Sequence, residues 1–302
     1  MEQNLSYNSR QRVQKTIRHE ATDRIPKGEL TIADAVIKRE LNCTDVGFDE
    51  KSRFVNQIGL DIITISPVFK HGKEKLAAPG DSTWPDIEKW CKDTSLFTFA
   101  VVNGALETGM RIHEWSGFLK LIKKSPPILS SFIEDVEKLN ISMFKEVAQM
   151  GVDGILLADD VAYAGGLLVN PKILRQNFFP SLARQAEEID RLGLFAFYHS
   201  DGNYQEIIPD LIDMHFQGIQ CLEQRSGMDT AKLQEQYGDR ICLWGSIDIE
   251  DTVNARKPDN LKTITDSLKS LQKQKGIILG TNNGLYEVTD IAGLTAIYQS
   301  LY

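Results

Sequence analysis

The chain has 302 residues, 42% of them hydrophobic and 25% charged, with a formal net charge of −8. These values are ordinary for a globular protein and exclude disordered, collagen-like and disulfide-scaffold classes. The negative charge argues against nucleic acid and anionic membranes as partners, and no apolar run approaches the roughly 20 residues of a membrane helix. The opening "MEQNLSYNSRQRVQK" has no apolar stretch of the signal-peptide kind, so a cytoplasmic location is expected. Cys43, Cys91, Cys221 and Cys242 are scattered without a C-x-x-C pair and read as reduced thiols.

In chain order, eight short runs end in polar or small residues. They are "PKGEL" around Glu29, "DIITISP" near Ser66, "FTFAVVNG" at Asn103 and "GILLADD" at Asp159-Asp160. Then come "LFAFYHSDG" at His199, "GIQCLEQ" at Glu223, "ICLWGSID" at Asp248 and "GIILGTNN" at Thr281-Asn282. Most are continuously apolar, as in parallel strands covered on both faces. Amphipathic stretches lie between them. "PKILRQNFFPSLARQAEEIDRLG" predicts a helix stopped by Gly193; "MDTAKLQEQYGDR" and "PDNLKTITDSLKSLQKQKG" predict two more.

The spacing fits βα units of roughly 30 residues, so the fold class is α/β, a (β/α)8 TIM barrel with an extended N-terminal segment. An open doubly wound sheet is the alternative; it lacks the G-x-G-x-x-G turn after the first strand. Residues 1–302 read as a single domain. The widest gap, between Asn103 and Asp159, makes residues 104–150 a cap or insert over the active-site face, or else a longer outer helix.

C-terminal strand ends converge at the mouth of such a barrel. Here they offer Glu29, Asn103, Asp159, Asp160, His199, Asp201, Glu223, Asp248, Asn282 and Asn283. The mouth is rich in oxygen donors with one imidazole. Lysine and arginine are absent from these strand ends, which disfavours a phosphate site. A lone carboxylate at a strand end is more often a helix cap than a catalyst. His199 is harder to explain that way, and His199-x-Asp201 sets both side chains on one face if the strand persists. Ser200-Asp201-Gly202-Asn203 is equally a turn sequence.

The segments "RVQKTIRHEATDRIPKGEL", "GVDGILLADDVAYAGGLLVNPKILRQNFFPSL", "YHSDGN", "IIPDLIDMHFQGIQCLE", "YGDRICLWGSID" and "GIILGTNNGL" resemble, in order, the uroporphyrinogen decarboxylase superfamily, which includes corrinoid-linked methyltransferases. The resemblance implies the barrel. Decarboxylases of this superfamily carry an R-Q-A-G-R type motif near the N-terminus for the porphyrinogen propionates; here the stretch is "TDRIPKGELTIADA" and the motif is missing. The methyltransferase branch binds zinc through an H-x-C pair on strand five and a cysteine at strand eight. This chain matches at His199, has Asp201 in place of the first thiolate, and has Thr281, Asn282 and Asn283 where the second would fall. Cys221 and Cys242 sit within apolar runs and read as core thiols.

A zinc with oxygen ligands keeps more Lewis acidity than a thiolate-rich one and suits an ether oxygen. The resemblance therefore implies a methyltransferase that moves a methyl group from a methoxylated, aromatic substrate to the cobalt of a corrinoid protein partner, as the first component of an O-demethylase. His199, Asp201 and Glu223 are the expected metal ligands. Asp159, Asp160 and Asp248 are the expected catalytic carboxylates, and Glu29, Asn103, Asn282 and Asn283 the expected substrate contacts. Met110, Trp115 and Phe118 read either as a surface for an aromatic ring or as core. The alternatives are a metal-free lyase acting on a small organic acid and a non-catalytic binding member.

Overall fold

The computed structural model describes residues 6–70, 75–124 and 126–301. Met1–Leu5, the start of the stretch expected to lack a leader, lie outside these residues, as does Ser125 within the expected insert. In chain order the strands are β1 (Ile62–Ile65), β2 (Val68–Phe69), β3 (Ser82–Thr83), β4 (Phe97–Asn103), β5 (Gly154–Ala158) and β6 (Ala162–Tyr163). They continue as β7 (Gly166–Leu167), β8 (Phe195–His199), β9 (Gly218–Gln220), β10 (Cys242–Ile247) and β11 (Ile277–Thr281). β2–β3 and β6–β7 are short antiparallel pairs. The other seven are the parallel strands of an α/β fold, and each coincides with one of the predicted runs. No helix among the described residues is long and apolar enough to cross a membrane.

The chain divides into two compact units. The first comprises residues 1–64, 95–97 and 220–302. In it, β10 and β11 run parallel, from Leu243 opposite Ile277 to Ile247 opposite Thr281. The strand expected at "PKGEL" is the one correction among the eight. It shrinks to two bridges, Lys27 to Leu279 and Gly28 to Ile62. Pro26 has no N–H to extend the ladder, and the Gly28 carbonyl is taken by the Trp244 indole N–H at 3.0 Å.

Two interior carboxylates hold this unit together. Asp61 is fully buried and accepts from Arg12 at 2.7 Å, Arg24 at 2.6 and 2.8 Å, the Ser9 hydroxyl at 2.8 Å and the Lys27 N–H at 2.9 Å. Charge-assisted bonds of this kind make a buried carboxylate tolerable. Glu29 is 1% exposed and is held by neutral donors. It accepts instead from the Thr281 hydroxyl at 2.5 Å, the Thr281 N–H at 3.1 Å and the Tyr298 hydroxyl at 2.8 Å.

The second unit comprises residues 65–94 and 98–219. β4 pairs with β5 and β5 with β8, both parallel. Asn103 lies opposite Ala158, and Ala158 opposite His199, so the three strands end level. Their residues are buried on both faces, which explains the unbroken apolar runs. The insert, 104–150, folds as the helices Ala105–Lys124 and Pro126–Met150, with the first broken at Glu114. The helix expected before Gly193 is interrupted: a short turn at Pro171–Ile173 and a π-turn at Leu174–Phe178 precede the regular helix Phe179–Arg191. Pro180 lacks the N–H that a continuous helix would need there.

Burial pushes the Glu29 pKa up to about 7 from its ordinary 4.5. The folded state thus favours the neutral carboxyl. Its contribution to stability is full below pH 4.5 and is lost as pH rises through 7, a change of about 3 kcal/mol. Glu29→Gln keeps the acceptor and removes the titration. Urea unfolding is expected to show the variant gaining on the native protein by about that amount between pH 4.5 and pH 8. An unchanged difference would contradict a neutral Glu29.

Candidate functional site

Because β4, β5 and β8 end level, the residues that follow them emerge side by side. Asp159 follows β5 and turns inward. It is 5% exposed, and its Oδ1 accepts the Glu107 N–H at 2.7 Å at the start of the helix Ala105–Lys124. The Leu106 N–H also donates to this carboxylate. Its own N–H donates to the His199 carbonyl at 2.9 Å, and its carbonyl accepts from the Tyr198 hydroxyl at 3.0 Å. Burial pushes the Asp159 pKa up to about 7 although the helix N–H groups act to lower it. The expected catalytic carboxylate therefore caps a helix in this structure, and Gly104 makes room for it: a Cβ there would lie 2.2 Å from the Asp159 Cγ.

Asp160 turns the other way. Its Oδ1 lies 3.6 Å from the His199 Nε2 and accepts the Asp201 N–H at 2.9 Å. The Asp201 Oδ1 lies 3.9 Å from the same imidazole nitrogen. β8 stops at His199, so a turn and not strand periodicity brings Asp201 back to the ring. Gly202, at φ +78, makes that turn where a Cβ would meet the Tyr163 backbone at 2.6 Å. The Ser200 hydroxyl fixes it by donating to the Asp201 carbonyl at 2.8 Å and accepting from the Val161 N–H at 3.1 Å.

The result is one imidazole, 9% exposed, facing two carboxylates that are 37% and 46% exposed. One ligand atom from each of Asp160, His199 and Asp201 lies within 4.8 Å of the other two. A nitrogen and two hard oxygens at that spacing can close on a divalent ion, and the set fits zinc. Of the expected ligands, His199 and Asp201 are brought together; Asp160, expected as a catalytic group, stands with them.

Two residues of this cluster were not singled out from the sequence. Glu107 has its pKa raised by burial and then by the Asp160 charge, while Arg111 and His199 act in the opposite direction. Arg111 lies one turn further along the same helix, and burial lowers its pKa. The signal that could have found them is the E-x-x-x-R spacing straight after the Asn103 strand end, which puts both on one helix face. It also supplies a cation that the strand ends lack.

The other expected site residues belong to local networks. Asn103 ends β4, and its carbonyl accepts from Asn140 at 3.0 Å. In the first unit, the Asp248 carboxylate accepts from Asn282 at 2.7 Å and pairs with Arg225 at 3.2 Å; burial raises its pKa. Asn282 in turn accepts the Ser246 N–H at 2.9 Å. The Glu223 carboxylate accepts from the Ser226 hydroxyl at 2.8 Å and from Asn283 at 3.3 Å. Cys221 and Cys242 are buried, and burial pushes the Cys242 thiol upward, as for an inert core thiol. Phe118 is core, packed against Phe132 and Phe178, whereas Trp115 is 42% exposed.

β4, β5 and β8 are thus level parallel strands of an α/β protein, with Asp159, Asp160 and Asp201 just beyond the ends of β5 and β8. Residues 98–301 match the family model described as uroporphyrinogen decarboxylase, and the chain belongs to that family. Among solved structures, it is similar to a methyltransferase from Methanosarcina mazei, with 16% identity, 98% of each chain covered and a TM-score of 0.75. A sugar phosphate isomerase/epimerase from Parabacteroides distasonis follows at 14% identity, with 90% of this chain and 97% of that one covered and a TM-score of 0.51. At such identities the likeness is one of fold. No curated protein matches the chain in sequence.

Gly104→Ala drives a methyl group into the Asp159 carboxylate and is expected to cost about 1–3 kcal/mol in denaturant unfolding. Gly117→Ala is the control, since a Cβ there meets nothing closer than the His113 Cβ at 3.7 Å. Equal stability of the two variants would show that the Asp159 cap does not constrain this helix.

Proposed function

We propose that this protein is a methyltransferase that takes a methyl group from a methoxylated, aromatic substrate and passes it to the reduced cobalt of a corrinoid protein. The observation that carries the reading is the Asp160, His199 and Asp201 cluster at the level ends of β5 and β8. Its oxygen-rich donor set suits an oxygen-bound methyl group better than a thiol acceptor. Asp160, His199 and Asp201 would hold zinc, which would supply Lewis acidity toward the ether oxygen.

The chain's own residues have separate tasks. His199, held rigidly at the strand end, sets the position of the cluster, and the two open carboxylates leave the ether side accessible. Asp159 fixes the helix that brings Glu107 to the same place. In the reaction the methyl–oxygen bond would break as the electron pair of the reduced cobalt takes the methyl group, and the departing oxygen would take a proton from Asp159 or Glu107 or from water, with Asp160 kept as a metal ligand. Glu29, Asn103, Asn282 and Asn283 as substrate contacts, Asp248 as a catalytic group and residues 104–150 as a cap belong to the same proposal.

A second reading keeps the site and dispenses with metal: a lyase that decarboxylates a small organic acid. Family membership and the presence of Arg111 beside the carboxylates favour it. Zinc content and methyl transfer separate the two. His199→Ala and Asp160→Asn are expected to lose bound zinc and to lower methyl transfer from methoxylated aromatics to a cob(I)alamin carrier by at least 100-fold, since removed interactions of 3 kcal/mol give about that factor. Glu223→Gln in the same zinc determination tests that residue as a further ligand. Full zinc occupancy in His199→Ala would refute the ligand assignment, and activity without zinc or corrinoid would favour the lyase.

A further inference from the structure

The second unit contains a cavity of about 100 Å³ beside the cluster's helix. Its walls come from β4, from the helices Ala105–Lys124 and Pro126–Met150, and from Phe69 and Lys75. Val101, Met143 and Phe69 give it an apolar wall, and Asn103, Thr108 and Asn140 a polar one. Arg111 and Lys75 are its two cations, and no carboxylate lines it among the described residues. In a chain of net charge −8, whose strand ends are crowded with acids, this is a local reversal of sign. Arg111 is half-buried in the wall, and a guanidinium there offers a planar fork that matches a carboxylate. At about 100 Å³ the cavity takes the charged end of a small ligand and not a tetrapyrrole.

The cavity and the cluster share one helix. Arg111 reaches the cavity, and Glu107, one turn earlier, interacts electrostatically with Asp160, His199 and Asp201. A helical turn spans about 5.4 Å, so a ligand crossing from Arg111 to the cluster needs a short rigid body with different groups at its two ends.

We infer that this cavity is the anchor for the carboxylate end of a single-ring methoxylated acid, with Arg111 as the principal cation and Lys75 as the second. The ether end then lies toward the His199 cluster; that half of the inference rests on the methyl-transfer reading, whereas the carboxylate anchor does not. Arg111 acts as a positioning and specificity residue. It selects acids over neutral methoxylated compounds and aligns the methyl group.

Calorimetric titration of the full-length protein with 4-methoxybenzoate and with 4-methoxybenzyl alcohol tests this directly. The native protein is expected to bind the acid at least tenfold more tightly, about 1.4 kcal/mol. Arg111→Gln is expected to lose that preference while still binding the alcohol, and Arg111→Lys to recover part of it. His199→Ala, which lacks a metal ligand, is expected to keep the preference, so failure of the metal assignment and failure of the anchor give different results. Equal binding of acid and alcohol by the native protein, absence of binding by both, or an acid preference that survives in Arg111→Gln would each overturn the inference. The native comparison stands even if a variant fails to fold.

Discussion

The site depends on one buried contact, the Asp159 carboxylate on the first N–H groups of the helix that begins at Ala105. Helix N-termini attract negative charge, so this carboxylate holds the helix at a fixed angle to the ends of β4 and β5. Gly104 is what lets the two approach. Everything that follows on the helix, Glu107 and then Arg111, is placed by that contact. Asp160 is freed from capping by its neighbour and can turn to His199. Two adjacent aspartates thus turn opposite ways, one onto the helix and one toward His199.

Family and fold narrow the chemistry without choosing it. Uroporphyrinogen decarboxylase family membership is compatible with both decarboxylation and methyl transfer. The local features discriminate better. The imidazole and two carboxylates form an oxygen-rich donor set, and the cations of the cavity along the same helix suit an acid. Together they favour a small, anionic methyl donor. Cys91, Cys221 and Cys242 belong to the interior, where the raised pKa of Cys242 keeps it protonated.

Much of this was legible in the residues alone. Seven parallel strands could be located because burial on both faces leaves continuous apolar runs, and His199 with Asp201 stood out because an imidazole at a strand end is hard to explain as a cap. The first expected strand failed because its pairing is carried by two backbone bridges, which side-chain pattern does not encode. The roles of Asp159 and Asp160 could not be told apart, since the difference is the direction in which adjacent side chains turn. Glu107 and Arg111 escaped because they come from a helix after the strand end and not from the end itself. The π-turn at Leu174–Phe178 was marked in advance by Pro180, a signal weaker than the amphipathic pattern around it.

The proposed metal centre is His199 with oxygen donors and no sulfur. X-ray absorption at the zinc edge of the zinc-loaded protein tests it most directly, because zinc–sulfur bonds of about 2.3 Å are well separated from zinc–oxygen and zinc–nitrogen bonds near 2.0–2.2 Å. A single nitrogen/oxygen shell with an imidazole contribution is expected for the native protein, and loss of the zinc signal in His199→Ala. A sulfur shell, or a spectrum unchanged in that variant, would contradict it.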